Sequence, residues 1–279
     1  MKHLKLLISD LDFTLLNSHR ELSEVTKQKL QTILDKGVEV VPCSARPLSQ
    51  IPEWFLTNPD IHYLVCSNGA VIVDNPTKKP LKKATLSNRT VLDILHAAAE
   101  DPYWTVAVNG EFHSHDLILR DYDQIGRDED FAEKIRKTRV MEPDESFIFQ
   151  CEEGSIEKVH FITSGLKDEQ RERMICKLSS IKNIMISSSH RSNIEITHPD
   201  AGKGQAVNWL IERLQLDREQ VAAAGDNEND LPMLKEAGIR IAVANATPQV
   251  LAIANRVAAS CDEDGVVHCL CEILKEEQK

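Results

Sequence analysis

The chain has 279 residues, of which 42% are hydrophobic and 28% charged, the proportions of an ordinary globular protein long enough to bury a sizeable core. Lys plus Arg number 33 against 44 Asp plus Glu, a net charge of −11. That balance speaks against nucleic acid and anionic membrane as main partners, since both need a basic face. No apolar stretch approaches the ~20 residues of a membrane span, and the opening apolar run is broken by Lys5. The seven cysteines are odd in number, scattered and without a C-x-x-C pair. Neither a zinc site nor a disulfide framework is indicated, and free thiols in a reducing cytoplasm are the simplest expectation.

Residues 4–9 are expected to form a buried strand, followed by Asp10-Leu11-Asp12-Phe13-Thr14. Ser23 can cap a helix to about residue 36, with Val25, Leu30, Ile33 and Leu34 on its apolar side and Gly37 ending it. Residues 38–41 form a second strand, with Cys43-Ser44-Ala45-Arg46-Pro47 at its carboxyl end. Pro47 suits the first turn of a helix through Trp54 and Phe55. A third strand over 61–66 leads to a hairpin turned at Asn68-Gly69. This alternation is the pattern of a parallel sheet covered by helices.

After a lysine-rich linker or edge segment around Pro80, the pattern changes. A helix is expected over 87–99, a hairpin turned at Asn109-Gly110, a strand over 157–163, a helix over 167–179 and a strand over 184–188. These suggest an inserted α+β domain. The parallel pattern is expected to return with a strand over 193–197, a helix over 202–214 and a strand over 221–224 ending in Gly225-Asp226-Asn227-Glu228-Asn229-Asp230. A strand over 239–243 and helices over 247–255 and 266–274 close the chain. The domains expected are a core of residues 1–83 and 190–279 and a cap of residues 84–189.

Asp10, Asp12, Ser44, Lys203 and Asp226 thus lie at strand carboxyl ends or a helix start, the edge where open α/β sheets bind ligands. Several carboxylates can hold a hard divalent ion, a hydroxyl and a lysine can hold phosphate oxygens, and a second carboxylate can act as acid and base. Each also has a plain reading: a solvated turn for Asp10 and Asp12, a helix cap for Ser44, a solvated lysine for Lys203. Gly202 and Gly204 favour a ligand beside Lys203 by leaving it room to approach. His113 and His115 alternate on a strand and are expected on a solvated or substrate-facing side of the insert. Arg120, Tyr122 and Arg127 are expected in a solvated charged loop.

The four segments, in this order, resemble the haloacid dehalogenase-like superfamily of phosphotransferases, and within it the Cof-type phosphatases. Asp10 to Thr14 matches D-x-D-x-T, Ser44 the second motif, Lys203 the third and Gly225 to Asp230 the G-D-x-x-N-D motif. Ser67 to Ala70, Val243 to Ala246 and Asp262 to Val266 match secondary features. The resemblance implies a Rossmann-like, doubly wound, mostly parallel α/β core with an inserted α+β cap. It implies Asp10 as nucleophile, Asp12 as acid and base, and Mg2+ held by Asp10, Asp226 and the backbone carbonyl of Asp12. Ser44, Ala45, Lys203 and Asn229 would bind phosphate or substrate, with Thr14 and Asp230 in support. The family usually has Gly where Phe13 stands and often where Ala45 stands. An ordinary backbone is expected at Phe13, with its ring packed under the loop or narrowing the pocket.

The function implied is a Mg2+-dependent phosphatase of small phosphorylated metabolites. A phosphomutase or phosphotransferase acting on sugar phosphates is the alternative enzyme, and a catalytically silent phosphate-binding regulator the alternative of another class. A dinucleotide dehydrogenase is disfavoured, because no G-x-G-x-x-G follows the first strand.

Overall fold

The computed structural model describes residues 3–188 and 192–277. In chain order its strands are β1 (Leu6–Ser9), β2 (Glu39–Pro42), β3 (Tyr63–Cys66), β4 (Val71–Asp74), β5 (Lys79–Lys83), β6 (Trp104–Val108), β7 (Glu111–His115), β8 (Val140–Glu142), β9 (Ile156–Ile162), β10 (Met185–Ser187), β11 (Asn193–Thr197), β12 (Val221–Gly225), β13 (Ile239–Val243) and β14 (Arg256–Ala258). The chain divides into two compact units. One takes Met1–Ala45, Ile51–Lys82 and Gly202–Lys279, the other Arg46–Gln50 and Lys83–Ala201.

The first unit is built on a five-stranded sheet in the order β14-β13-β12-β1-β2, parallel throughout. Its central strands read as apolar runs because both faces are covered. Leu6, Leu7 and Ile8 are fully buried, as are Val221 to Ala224. Ser23 caps the helix Glu24–Leu34 by accepting from the Thr26 amide. Thr26, Leu30 and Ile33 form its buried side, while Val25, expected inward, is exposed. The third strand differs from expectation. β3 lies in its own three-stranded sheet with β4 and β5, and a single parallel bridge, Cys43 to Val65, ties it to the chain beyond β2. The lysine-rich segment is the edge strand β5, where solvated cations discourage further pairing. The helix expected from Pro47 is interrupted. A short turn Leu48–Gln50 and a helix Glu53–Thr57 flank Pro52, which restricts the residue before it and offers no amide to continue the first turn.

The second unit carries a six-stranded mixed sheet in the order β10-β11-β9-β6-β7-β8. The hairpin β6–β7 turns at Asn109-Gly110, as the sequence signals, with both residues at positive φ. The helices Asn88–Ala97 and Asp168–Leu178 cover one face, burying Trp104, Val106, Val159, Phe161, Ile194 and Ile196. β11 was expected in the parallel sheet but pairs antiparallel with β9 and β10. Its alternation of Ile194 and Ile196 with Asn193, Glu195 and Thr197 suits a sheet buried on one face by helices. The boundary expected between residues 189 and 190 lies outside the described residues. His113 and His115 are half-buried rather than solvated. His113 stacks on Phe147 at 5.2 Å and bonds Glu142 at 2.8 Å, while His115 meets Trp104 edge-on.

Candidate active site

Asp10 follows β1, the strand flanked by β12 and β2, and its amide still donates to the Ala224 carbonyl at 2.9 Å. The chain then leaves the sheet through a wide turn, Leu11–Leu15, closed by the Leu16 amide on the Leu11 carbonyl at 2.8 Å. Inside that turn Phe13 has φ 59° and ψ 14°, the left-handed region, contrary to the ordinary backbone expected. A bulky residue there is a genuine outlier. Asn245 holds the strained segment by donating from Nδ2 to the Phe13 carbonyl at 2.9 Å, and the Cys261 amide fixes Asn245 Oδ1 at 2.9 Å. The Phe13 ring does not pack beneath the loop. It is 37% exposed, with the Arg20 guanidinium 5.7 Å from its centre. Arg20 Nε also lies 3.8 Å from Asp12 Oδ1, and the Asp12 side chain is 29% exposed.

Lys203 opens the helix Lys203–Leu214, and its side chain is buried. Its Nζ sits 2.6 Å from Asp10 Oδ1 and 2.6 Å from Asp230 Oδ1. Burial works against the ammonium, but the two carboxylates outweigh it and hold Lys203 well above its ordinary pKa. Gly204 serves close packing, since a Cβ there would come within 2.9 Å of the Pro232 carbonyl oxygen; a Cβ on Gly202 would meet the flexible end of the Gln205 side chain.

The turn after β12 supplies the other acids. Asp230 is fully buried and accepts the amides of Asp226 at 3.0 Å and Asn227 at 3.2 Å, besides Lys203. Asp226 Oδ1 accepts the Thr14 hydroxyl at 3.0 Å. One oxygen each of Asp10, Asp226 and Asp230 lie within 4.8 Å of one another. Three carboxylates thus face one ammonium. Burial, with Asp230 and Asp226 adding to it against the pull of Lys203, drives the Asp10 pKa well up. Burial and then Asp230 push Asp226 to about 6. Such a set is under-neutralised, and its hard oxygen donors fit a divalent cation. The buried Asn229 Oδ1, which has no hydrogen-bond partner, is a further polar atom of this turn open to a ligand. The Asp12 carboxylate lies outside the trio.

Ser44 is buried at the end of β2. Its amide donates to the Val65 carbonyl and its carbonyl accepts the Asn68 amide, both at 2.9 Å; Ala45 beside it is half-buried. The neighbouring Cys43 thiol is pushed far up by burial against the pull of Lys203, with Asp10 and Asp230 adding to the rise, which suits an inert residue. Sequence reasoning missed the bracing roles of Asn245 and of Asp264, whose Oδ1 accepts the hydroxyls of Ser23 and Thr26. It also missed Arg20 beside Asp12. Asn245 carried a signal, as a polar residue just beyond the carboxyl end of β13.

A sequence profile of haloacid dehalogenase-like hydrolases matches residues 7–270. The chain is 29% identical over 284 residues to the Bacillus subtilis protein YxeH, covering 97% of this chain and 98% of YxeH. It is 26% identical over 287 residues to Phosphatase YwpJ of the same species, covering 97% and 100%. Among solved structures, a haloacid dehalogenase-like hydrolase from B. subtilis superposes with a TM-score of 0.81 at 26% identity, covering 95% of this chain and 98% of that one. With its Asp10, Lys203 and Asp226 segments inside the matched span, the chain belongs to the haloacid dehalogenase-like hydrolase family.

Proposed function

We propose that this protein is a Mg2+-dependent phosphatase of small phosphomonoesters that works through an aspartyl-phosphate on Asp10. The observation that carries the reading is the buried Asp10 carboxylate at the end of β1, 2.6 Å from Lys203 and grouped with Asp226 and Asp230. A carboxylate nucleophile splits hydrolysis into two displacements. Asp10 attacks phosphorus while Asp12 gives its proton to the leaving oxygen. Asp12 then takes a proton from the water that frees Asp10. The part exposure of Asp12 suits a group that meets both leaving alcohol and water. Ser44 and Lys203 hold the transferring oxygens, Asn229 supports them, Asp230 orients Lys203, and Thr14 braces Asp226. Mg2+ would be held by Asp10, Asp226 and the Asp12 carbonyl, and would neutralise charge as two anions approach.

Sugar phosphates or phosphorylated cofactors are the substrate class we favour. A B. subtilis relative, 26% identical over 267 residues, is named a 5-amino-6-(5-phospho-D-ribitylamino)uracil phosphatase. The seven cysteines are all free, as a reducing cytoplasm would keep them, and no described helix is long and apolar enough to cross a membrane. The test is phosphate release from an aryl phosphate by pure protein, with and without Mg2+. Release that needs Mg2+ supports the reading. No release across pH and a panel of phosphorylated metabolites favours a silent phosphate-binding regulator instead. A sugar bisphosphate returned as its isomer, without free phosphate, would mark a mutase.

A further inference from the structure

The second unit has a cavity of about 30 Å3 where its two longer covering helices pack together. The walls include Ala97 and Ala98 at the end of the helix Asn88–Ala97, Glu100 and Asp101 in the segment that follows, and Met174 and Lys177 on the helix Asp168–Leu178. All of these residues belong to the one unit. The Asp101 amide donates to the Ala98 carbonyl at 2.8 Å, a turn that keeps Asp101 beside the helix end.

Asp101 is the odd group in this corner. It is 4% exposed, and neither of its carboxylate oxygens reaches a hydrogen-bond partner of good geometry among the described residues. Burial pushes its pKa up to about 6, and the Tyr103 amide, two residues on, opposes that rise only in part. Lys177, the ammonium at the rim, lies 2.9 Å from Glu100 and neutralises that exposed carboxylate instead. The buried walls at Ala98 and Met174 are apolar and offer a charge nothing. The helix end adds to the imbalance. Its C-terminal turn carries a negative partial charge, and its last carbonyls lack donors from a following turn. A carboxylate there is opposed twice, by lost hydration and by the helix end.

Room, charge and donor type narrow what completes the site. A space of about 30 Å3 admits an ion or a water and excludes an organic metabolite. A water would occupy a lone pair and leave the charge standing. Mg2+ keeps several of its own waters and Ca2+ takes about 6–8 oxygens, for which this cavity has no room. One carboxylate without a basic partner is balanced by a single positive charge.

We propose that this cavity binds one monovalent metal cation, Na+ or K+, between the Asp101 oxygens and the last carbonyls of the helix Asn88–Ala97. The ion pins the end of that helix against the helix Asp168–Leu178 and stabilises the second unit. The site stands whether or not the phosphatase reading does, since none of its groups belongs to the acid cluster at the end of β1.

The experiment follows the melting temperature of the full chain at about pH 8, where Asp101 is ionised, with Mg2+ held constant. The salts compared are choline chloride, NaCl and KCl at equal ionic strength. NaCl or KCl should raise the wild-type melting temperature over choline chloride by about 2 °C or more, and the rise should saturate with concentration. Whichever ion gives the larger rise at equal concentration is the one the cavity fits. Asp101→Asn keeps the shape without the charge and should melt at one temperature in all three salts. Ala97→Leu fills the cavity from a half-buried wall, leaves Asp101 in place and should lose the rise as well. Asp226→Asn should keep the rise, which separates this site from the acids at the end of β1.

Equal melting of the wild type in the three salts overturns the proposal, as does a rise that survives in Asp101→Asn. If Asp101→Asn does not fold, Ala97→Leu decides, and an undiminished rise there overturns it. A rise lost in Asp226→Asn puts the ion at the other cluster and overturns it equally.

Discussion

Among the described residues, three carboxylates crowd one ammonium at the end of β1, while on the polar face of the six-stranded sheet Lys158, Arg139 and Arg127 lie around His160 with Glu195. Both clusters are half or more buried, and each is under-neutralised in the opposite sense. In the first, burial drives acids up, holding Asp226 at about 6. In the second, burial drives bases down, holding His160 at about 3 and Arg139 at about 10. Apolar layers elsewhere, such as Leu6, Leu7 and Ile8 in β1 or Val159 and Phe161 in β9, supply the folding energy that lets such clusters persist. A protein keeps a local imbalance of this kind most readily where something else completes it. For the first cluster we assign a cation.

The comparison breaks most sharply at Asp10. Asp10→Asn should lower phosphate release on the order of 10⁴-fold or more while leaving the far-UV circular dichroism unchanged. Retained turnover would remove Asp10 as the nucleophile and leave the first cluster a structural one.

The second cluster is tested through Glu195. Glu195→Gln breaks the buried ion pair with Lys158 and should cost about 3–5 kcal/mol in urea unfolding. The double change Glu195→Gln with Lys158→Met should recover a large part of that cost. If the single change costs no more than the double, the pair is not what holds the cations in place.

Proton linkage separates the two clusters by sign. The folded His160 pKa of about 3 lies below the ordinary 6.5, so only the unfolded chain gains a proton between these values. Stability from this group is present above pH 6.5 and lost as pH falls toward 3, on the order of a few kcal/mol. Asp226 is the reverse case. Its folded pKa of about 6 lies above 3.8, so the folded chain holds the proton more tightly over that window. Metal-free protein should lose on the order of 2–3 kcal/mol as pH rises through it. Mg2+ should therefore raise the melting temperature more at pH 7.5 than at pH 5. An equal rise at both would show that the cation does not meet Asp226.

How much of this the sequence carried depends on how local each feature is. Asp10, Asp12, Ser44 and Asp226 each had a plain reading as a turn or cap residue, and they drew notice only as a set at the ends of short apolar strands; the structure groups Asp10 with Asp226 and Asp230 and leaves the Asp12 carboxylate apart. The hairpin at Asn109-Gly110 and the Ser23 cap were legible because the turn chemistry sits within a few residues. The sheet that β11 joins was not, since an alternating strand fits any sheet with one polar face and its partners β9 and β10 are fixed by packing. Arg139 drew no notice because it ends a charged, mostly exposed helix. Thr105 reaches it from β6, and Phe112 and Ser114 reach it from β7. Phe13 was misread because a bulky residue argues against positive φ. The turn after β1, tied down by Asn245, imposes it nonetheless.

Phe13 offers the smallest effect and the clearest separation of causes. The left-handed backbone costs a side chain about 1–3 kcal/mol. Phe13→Gly removes that strain but gives the unfolded chain about 0.5–1 kcal/mol more entropy to lose. It also deletes the contact with Arg20, a cation over an exposed ring worth about 0.5–1 kcal/mol. The opposed effects should leave stability within about 1 kcal/mol of wild type in urea unfolding. Phe13→Val keeps the strain, worsens it by β-branching, and loses the same ring, so it should cost about 1–2 kcal/mol more than Phe13→Gly. If the two variants are equally destabilised, the ring and Arg20 rather than the backbone govern the position. In that case the aromatic beside Asp12 is held for what it contacts, and its backbone strain is incidental.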